Sequence, residues 1–364
     1  MSPSNASSVR IVPVYLGREF LRTFCLCLLF LWTLALLIDF FDRLDDFIRQ
    51  DANVTAVLRY FFFKAPLFAS QMAPAAALTG SLLSLSMLSR SRELLALKAC
   101  GFSSLQIARP LLLAATLLST AVWLWNEFVV PASFHKARVI NSEEIKKKPF
   151  KGFFDERGFW YHGENAFYHI EHFDQRAAIL SGLTVYNLDK QFQVRSLMEI
   201  SRAVWKEGKW ECENSREKNI ASSVTLPMTQ VCGSLLRETP DDFSVVALEA
   251  EEFSSQQLRQ YIFDLRRKGL DTTVYQVDLY LKGALPIAIL AMTLLGLSLA
   301  IPGARQLTLA TSLGFALVVG FGYWVLFALS VSLGHSGALS PFLSAWVANS
   351  ATCLVGIFFL LGVD

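Results

Sequence analysis

The sequence predicts an α-helical polytopic membrane protein with six transmembrane helices in a 3+3 arrangement and an inserted all-β domain. Three long apolar runs open the chain, a stretch of mixed charge follows from about 131 to 273, and three more apolar runs complete it. A helix needs about 20 apolar residues to cross a bilayer, and each run is long enough. Of the 364 residues, 53% are hydrophobic and only 18% are charged, which fits a protein that is part membrane and part globular.

The six apolar runs define two membrane halves, residues 1–130 and 274–364. The first run is a retained helix rather than a signal peptide, because it is too long and no small-residue cleavage site precedes the acidic stretch after it. In chain order, the predicted membrane helices cover about residues 15–41, 54–89, 104–130, 275–301, 306–333 and 340–362.

Lysine and arginine in the short loops predict the orientation, because loops rich in these residues stay in the cytoplasm. The opposite flanks are mostly acidic, as in 39–51, or contain no Lys or Arg, as in 334–341. Both termini are therefore expected in the cytoplasm and the middle domain outside it. The cations that favour this orientation are Arg10, Arg18, Arg22, Arg90, Arg92, Lys98 and Arg305.

Residues 131–253 are predicted to form a β domain, a sandwich or jelly roll. Short aromatic and β-branched runs such as 158–162 and 182–186 are typical of strands, and 204–212 is typical of a hairpin with Gly208 at its turn. Residues 254–273 are predicted to form an amphipathic connecting helix, which a capping box of Ser254 and Gln257 would begin.

Several kinds of chemistry are excluded by the motifs that the sequence lacks. It has no phosphate-loop motif, so this chain is not expected to hydrolyse ATP, and it has no H-E-x-x-H or C-x-x-C metal motif. Ser298 and His335 are predicted at opposite membrane depths, which argues against an intramembrane serine protease. Cys212 and Cys232 fall in the β domain, where two free thiols are favoured over a bridge. The net charge of +2 does not indicate a nucleic-acid partner.

The most specific stretch is residues 89–103, predicted to hold a short cytoplasmic helix at about 91–101. Ser91 is expected to cap it, Glu93 to lie in its first turn and Gly101 to end it. A soluble partner could bind such a helix, with Glu93 paired to an arginine. The other interpretation is an interfacial turn whose leucines face lipid. The residues predicted to contact the partner are Ser91, Arg92, Glu93, Leu94, Leu97, Gly101 and Phe102.

This stretch, together with residues 74–88 before it, resembles the coupling region of the LptF/LptG (YjgP/YjgQ) lipopolysaccharide-export permeases. The resemblance covers essentially the whole chain, and it is closer to LptG members because of Ile38-Asp-Phe-Phe-Asp-Arg43. Further segments agree in order, namely residues 15–20, 126–131, 253–258, 265–269 and 280–286.

The resemblance implies a permease subunit in the inner membrane of a Gram-negative bacterium. It implies pairing with a paralogous LptF-like six-helix permease and binding to an LptB-like ATPase dimer, which would hold ATP and Mg, so that this chain needs no cofactor. It also implies a periplasmic jelly-roll domain that passes lipopolysaccharide to an LptC/LptA-like bridge protein. Glu93 matches the acidic residue near the start of the coupling helix in the family.

The expected substrate path is less well defined. LptG members can carry basic residues near the outer end of the first helix, whereas this chain has Asp39 and Asp42 there with only Arg43 beside them. Lys64 and Lys282 could bind substrate phosphates instead, or could extend toward the membrane interface. The candidate path residues are Phe40, Phe41, Arg43, Lys64, Lys282, Phe315 and Phe321.

Three alternatives to lipopolysaccharide export stay open at this point. A permease for another lipid or a lipoprotein would have a similar apolar cavity. A membrane enzyme would need catalytic groups at a common depth, which the sequence does not show. A scaffold would need only the loop that binds a partner.

Overall fold

The computed structural model describes residues 5–146, 152–155, 158–162, 166–174, 179–188, 194–206, 209–219, 225–228, 250–267, 271–301 and 309–361. The chain divides into two compact units. The membrane unit comprises Met1–Arg138 and Ala250–Asp364, and the β unit comprises Val139–Glu249. The predicted domain boundaries at 131, 254 and 274 stay predictions.

Six of the described helices are long and apolar enough to cross a membrane, which confirms the predicted 3+3 arrangement. These six are α1, α2, α4, α7, α8 and α9. Position 306, predicted to begin a helix, position 362, predicted to end one, and Arg305 lie outside the described residues. The helices are α1 Asn5–Arg49, α2 Val54–Arg90, α3 Glu93–Ala99, α4 Ser104–Phe128, α5 Val130–Ile140, α6 Ser255–Arg267, α7 Thr273–Ala300, α8 Leu309–His335 and α9 Pro341–Leu361.

Helix α1 is longer than the sequence predicted, because it continues past residue 41 to Arg49. The added turns are rich in charge, and charged side chains one turn apart can stabilise a helix that has left the hydrocarbon. Asp39 and Arg43 are such a pair, with Arg43 Nε 3.1 Å from Asp39 Oδ1. Apolar content alone therefore did not show where the helix ends.

Helices α2 and α7 form the centre of the membrane unit. The apolar window of each is 67% buried, against 11% for α1 and 28% for α8. Small residues allow this close packing. A Cβ on Gly80 would lie 2.9 Å from Phe24 Cα in α1, and one on Gly296 would lie 2.0 Å from Ser81 Oγ in α2. These two glycines therefore serve contacts within the bundle.

The β unit contains one antiparallel sheet whose described strands follow chain order from β1 to β7. The inserted all-β region is confirmed. The described strands form a meander, and the crossovers of a jelly roll do not occur among them. The predicted hairpin is present, with Lys206 paired to Lys209, while Gly208 lies outside the described residues. The strands are β1 Gly152–Asp155, β2 Gly158–His162, β3 Ala166–Asp174, β4 Ile179–Leu188, β5 Val194–Lys206, β6 Lys209–Asn219 and β7 Thr225–Met228.

Cys212 in β6 is disulfide-bonded, so the expectation of a free thiol there is wrong. Cys232 lies outside the described residues. Spacing in the sequence does not show whether two cysteines approach closely enough to bond, and this is why the sequence favoured the wrong state. Four other cysteines are free, namely Cys25, Cys27, Cys100 and Cys353.

Helix α6 begins where the sequence placed it. The Ser254 N–H donates to Gln257 Oε1 at 2.8 Å, and the Gln257 N–H donates to Ser254 Oγ at 3.2 Å, which is the predicted capping box. Leu258, Ile262 and Leu265 are buried and form its apolar face.

Candidate functional site

The membrane unit has two ends, which we name by what lies there. The coupling side is the end around α3, and the insertion side is the end around residues 130–138 and 250–255. Each of the six long helices runs from one side to the other. The predicted ATPase contacts lie on the coupling side, and the charged residues of the predicted substrate path lie toward the insertion side.

Helix α3 begins differently from the prediction. Ser91 does not cap it, because its hydroxyl donates back to the carbonyls of Met87 and Leu88 in α2, each at 3.2 Å. The chain then reverses at Arg92, which adopts a left-handed conformation with φ 61° and makes no side-chain cap. Gly101 follows the helix with φ 87°, a conformation that glycine adopts without strain.

The leucines of α3 divide between two surroundings. Leu94 is buried, and Leu97 and Phe102 pack against the same apolar core of the membrane unit. Leu95 is 65% exposed on the opposite side. The helix therefore attaches to its own bundle through Leu94 and Leu97 and leaves a separate surface open to a partner.

Two polar contacts connect α3 to both membrane halves. The Tyr15 hydroxyl in α1 donates to Glu93 Oε2 at 2.9 Å. Lys98 Nζ donates to the carbonyl of Ile301, which follows α7, at 3.2 Å. The predicted contact set did not include Tyr15 or Lys98, and no sequence signal could have added them, because their partners lie far along the chain.

Three charged residues meet toward the insertion ends of α1 and α2. Lys64 Nζ lies 2.7 and 2.9 Å from the two carboxylate oxygens of Asp39, and Arg43 is bound to the same carboxylate. The side chains of Lys64 and Asp39 are only 8% and 17% exposed. Lys64 Nζ also lies 5.3 Å from the centre of the Tyr60 ring. Lys64 therefore points into the unit rather than extending to the interface.

This arrangement changes the expected effect of Asp39 on phosphate binding. The sequence alone indicates a charge that would oppose phosphate binding here, but in the structure Lys64 and Arg43 balance the charge of Asp39. Arg43 keeps a side chain that is 40% exposed. Phe40 lies beside this cluster, with its ring centre 5.7 Å from that of Phe61 in α2.

The other predicted path residues do not join this cluster. Phe41 is 65% exposed on α1, and Phe315 and Phe321 are 50% and 72% exposed on α8. These three aromatic rings lie on the outer faces of the two least buried membrane helices. They are placed to contact lipid, substrate or a second membrane subunit.

Lys282 lies in a different place, a pocket at the insertion side. The pocket encloses about 550 Å³ of space, part of it open to the surroundings. Lys282 Nζ donates to the carbonyl of Phe253 at 2.8 Å. The other lining residues are Leu67, Ser70, Gln71, Asn126, Val130, Ala250, Glu251, Asp278, Leu281 and Leu285.

The geometry does not support hydrolysis by Ser298 and His335. His335 Nε2 is 2.9 Å from Asp278 Oδ1, near the start of α7. The Ser298 hydroxyl donates to Leu295 within its own helix at 2.7 Å. Twenty residues of helix separate Asp278 from Ser298, which corresponds to about 30 Å. Among the described residues, no three His, Cys, Asp or Glu side chains could hold a metal together.

Comparison with known proteins identifies the family. The sequence profile for the lipopolysaccharide export system permease LptF/LptG matches residues 14–362. The chain belongs to the LptF/LptG family. The chain is 23% identical to the lipopolysaccharide export system permease protein LptG of Escherichia coli K12 over 351 residues, covering 95% of this chain and 97% of that protein. It is 22% identical to the LptG protein of Haemophilus influenzae over 314 residues, covering 85% and 87%.

Membership in the LptF/LptG family fits the architecture described above. The match includes the six apolar helices, the β insertion and the stretch that forms α3. The chain is therefore a multi-pass permease of the lipopolysaccharide export system rather than a catalytic enzyme. The roles of the individual site residues stay predictions.

Proposed function

We propose that this chain is an LptG-like permease subunit that extracts lipopolysaccharide from the outer leaflet of the inner membrane and passes it through its β unit to a periplasmic bridge protein. A separate LptB-like ATPase dimer supplies the energy, and an LptF-like permease completes the membrane complex. The two relatives named above are both called LptG, which supports this subunit assignment.

The surface and contacts of α3 support the proposal that an ATPase subunit moves the permease. Helix α3 presents an exposed surface and a carboxylate in its first turn, and it is bonded to α1 through Tyr15 and to the end of α7 through Lys98. A protein that moves α3 would therefore pull on both membrane halves. Glu93 is suited to pair with an arginine of the ATPase, because a carboxylate and a guanidinium form strong paired hydrogen bonds.

The proposed substrate path follows the exposed faces of α1 and α8. These helices are the least buried of the six, and their outward aromatic rings Phe41, Phe315 and Phe321 suit acyl chains. Arg43 provides an exposed cation for a phosphate group, while Lys64 balances the charge of the Asp39 carboxylate beside it. A second permease facing α1 and α8 would enclose a cavity with an apolar wall.

The disulfide at Cys212 supports a periplasmic β unit, because such bonds persist in oxidising compartments and are rare in the cytosol. Together with the charge distribution of the short loops, it favours cytoplasmic termini and a periplasmic insertion.

Depletion and purification test this proposal. Depleting the chain should lower lipopolysaccharide in the outer membrane, and the tagged chain should co-purify with a nucleotide-binding subunit and a second six-helix protein. Normal lipopolysaccharide combined with a defect in another lipid or a lipoprotein would identify a different substrate and contradict the proposal.

A further inference from the structure

The segment from Ala250 to Ser255 brings the chain back from the β unit to the membrane unit, and its polar contacts are unusually dense. Glu252 is nearly fully buried, with a side chain 3% exposed. Its carboxylate is bound by the Arg138 guanidinium and lies 2.9 Å from His135 Nδ1. Both partners belong to α5, the segment through which the chain leaves the membrane unit.

A second carboxylate binds the same segment. Glu127, in the last turn of α4, accepts three hydrogen bonds from Ser255: two from its N–H at 3.0 and 3.1 Å, and one from its hydroxyl at 2.6 Å. Ser255 is the first residue of α6, where backbone N–H groups lack partners within the helix and negative charge is favoured.

A third contact comes from α7. Lys282 Nζ donates to the carbonyl of Phe253, between the two acidic contacts. The Phe253 ring stacks on Tyr261 of α6 at 5.2 Å, and Tyr261 meets Tyr275 of α7 at 5.1 Å. Burial raises the pKa of the Tyr261 hydroxyl, so this group stays neutral. Helices α4, α5 and α7 therefore all hold the return segment.

We propose that Glu127, Arg138, Glu252 and Ser255 form a collar that makes the two chain connections to the β unit move together with the end of α4, while Lys282 holds the same segment to α7. The inference rests on the proposed function, and it assigns these four as positioning residues for the hand-over of lipopolysaccharide. The covalent path into the β unit leaves through α5, and the path back arrives through residues 250–255. A salt bridge between these two paths transmits a displacement of either one to the other.

The burial of Glu252 makes its ion pair with Arg138 costly to break, so the pair can stay intact while the two segments move. Removing one partner of a buried ion pair leaves the remaining charge unpaired in a poorly solvated place, which is strongly unfavourable. An exposed pair such as Arg202 and Glu213 in the β unit, 3.9 Å apart with side chains 50% and 63% exposed, contributes little. The two pairs therefore offer a matched comparison.

The experiment uses the complete complex in proteoliposomes and measures two quantities, ATP hydrolysed and lipopolysaccharide transferred to a soluble periplasmic acceptor. In Glu252→Gln we expect assembly and ATP hydrolysis within about twofold of wild type but at least a tenfold lower transfer per ATP. Combining Glu252→Arg with Arg138→Glu should restore transfer to within about threefold. Glu213→Gln, the matched exposed control, should leave both quantities unchanged.

A milder variant keeps the test decisive if Glu252→Gln fails to assemble. Ser255→Ala removes only the hydroxyl contact with Glu127, and it should lower transfer per ATP about threefold. Unchanged transfer per ATP in these variants, or equal losses of transfer and hydrolysis, would overturn the collar. If the wild-type complex transferred no lipopolysaccharide at all, the proposed function would fail before the collar was tested.

Discussion

The coupling side and the insertion side of the membrane unit are held together in different ways. On the coupling side, α3 makes two long-range polar side-chain contacts to other described residues, Tyr15 with Glu93 and Lys98 with Ile301. On the insertion side, carboxylates with little solvent exposure bind several partners each, as at Asp39 and Glu252. Single hydrogen bonds hold α3 at the accessible coupling side, whereas charged groups with several partners hold the insertion side.

This difference matters for the proposed mechanism, in which another subunit moves α3. A single exposed hydrogen bond stabilises a contact by only about 1 kcal/mol, so it can break and reform during each cycle. A buried charge that loses its partner costs about 3–5 kcal/mol, so such a contact persists through the cycle. We therefore expect rearrangement at α3 and nearly rigid motion at the insertion side.

The largest expected effect is a difference in thiol labelling between Cys100 and a cysteine introduced into the β unit, where one reacts fully and the other not at all. Cys100 is a free, exposed thiol beside α3, and a Glu213→Cys variant places a thiol on an exposed position of the β unit. In intact spheroplasts, a membrane-impermeant maleimide should label the cysteine at 213 and leave Cys100 unlabelled. Both should react after lysis, which serves as the control. Labelling of Cys100 in intact spheroplasts would reverse the assignment of the two sides.

Lys64→Met tests how strongly the ion pairs of the insertion side stabilise the membrane unit. The substitution leaves the poorly exposed Asp39 carboxylate with Arg43 as a remaining partner, and we expect the free energy of unfolding to fall by about 3 kcal/mol. Denaturant titration in mixed micelles measures this change. Adding Asp39→Asn should recover most of the loss, because the poorly solvated carboxylate is gone and Arg43, which is 40% exposed, can be hydrated. Arg202→Met, at an exposed pair, should change stability by less than about 0.5 kcal/mol. Equal losses of unfolding free energy in Lys64→Met and Arg202→Met would contradict the expected difference between the two ion pairs.

Glu93→Ala tests whether the ATPase binds at the coupling side. Losing one charge-assisted hydrogen bond should weaken ATPase affinity at least about tenfold, equivalent to about 1.4 kcal/mol. Titration of the purified permease pair with the ATPase measures the affinity. Glu19→Ala, which removes a carboxylate one helical turn from Tyr15, should leave it unchanged. An unaltered affinity in Glu93→Ala would mean that α3 is not the docking helix.

Tyr15→Phe has the smallest expected effect. It removes the hydroxyl that donates to Glu93 at an exposed position, and it should lower transport per ATP about twofold without changing ATPase affinity by more than that. Transport and affinity are measured as for the variants above. A loss of affinity as large as that of Glu93→Ala would show that Tyr15 contacts the ATPase directly.

The sequence predicted the features that depend on local pattern. Apolar runs of membrane length became helices, and the reciprocal Ser254–Gln257 cap formed as expected. Gly208 was placed at a hairpin turn, and strands β5 and β6 pair on either side of that position. Each of these signals spans a few residues or one continuous segment, so no distant part of the chain was needed to recognise it.

The site contacts were harder to predict because they join distant residues. Asp39 and Lys64 are 25 positions apart, and Glu127 and Ser255 are 128 apart. The i,i+4 spacing of Asp39 and Arg43 was the one local hint at the charged cluster. The Ser91 cap was wrong for a related reason: residue type favoured a cap, but the hydroxyl found acceptors in the preceding helix.

The most direct test of the central claim is the transfer of lipopolysaccharide from proteoliposomes that contain this chain, its partner permease and the ATPase. We expect transfer to the soluble acceptor only while ATP is hydrolysed, and none from vesicles that contain this chain alone. Transfer at the same rate without nucleotide, or by the isolated chain, would contradict it.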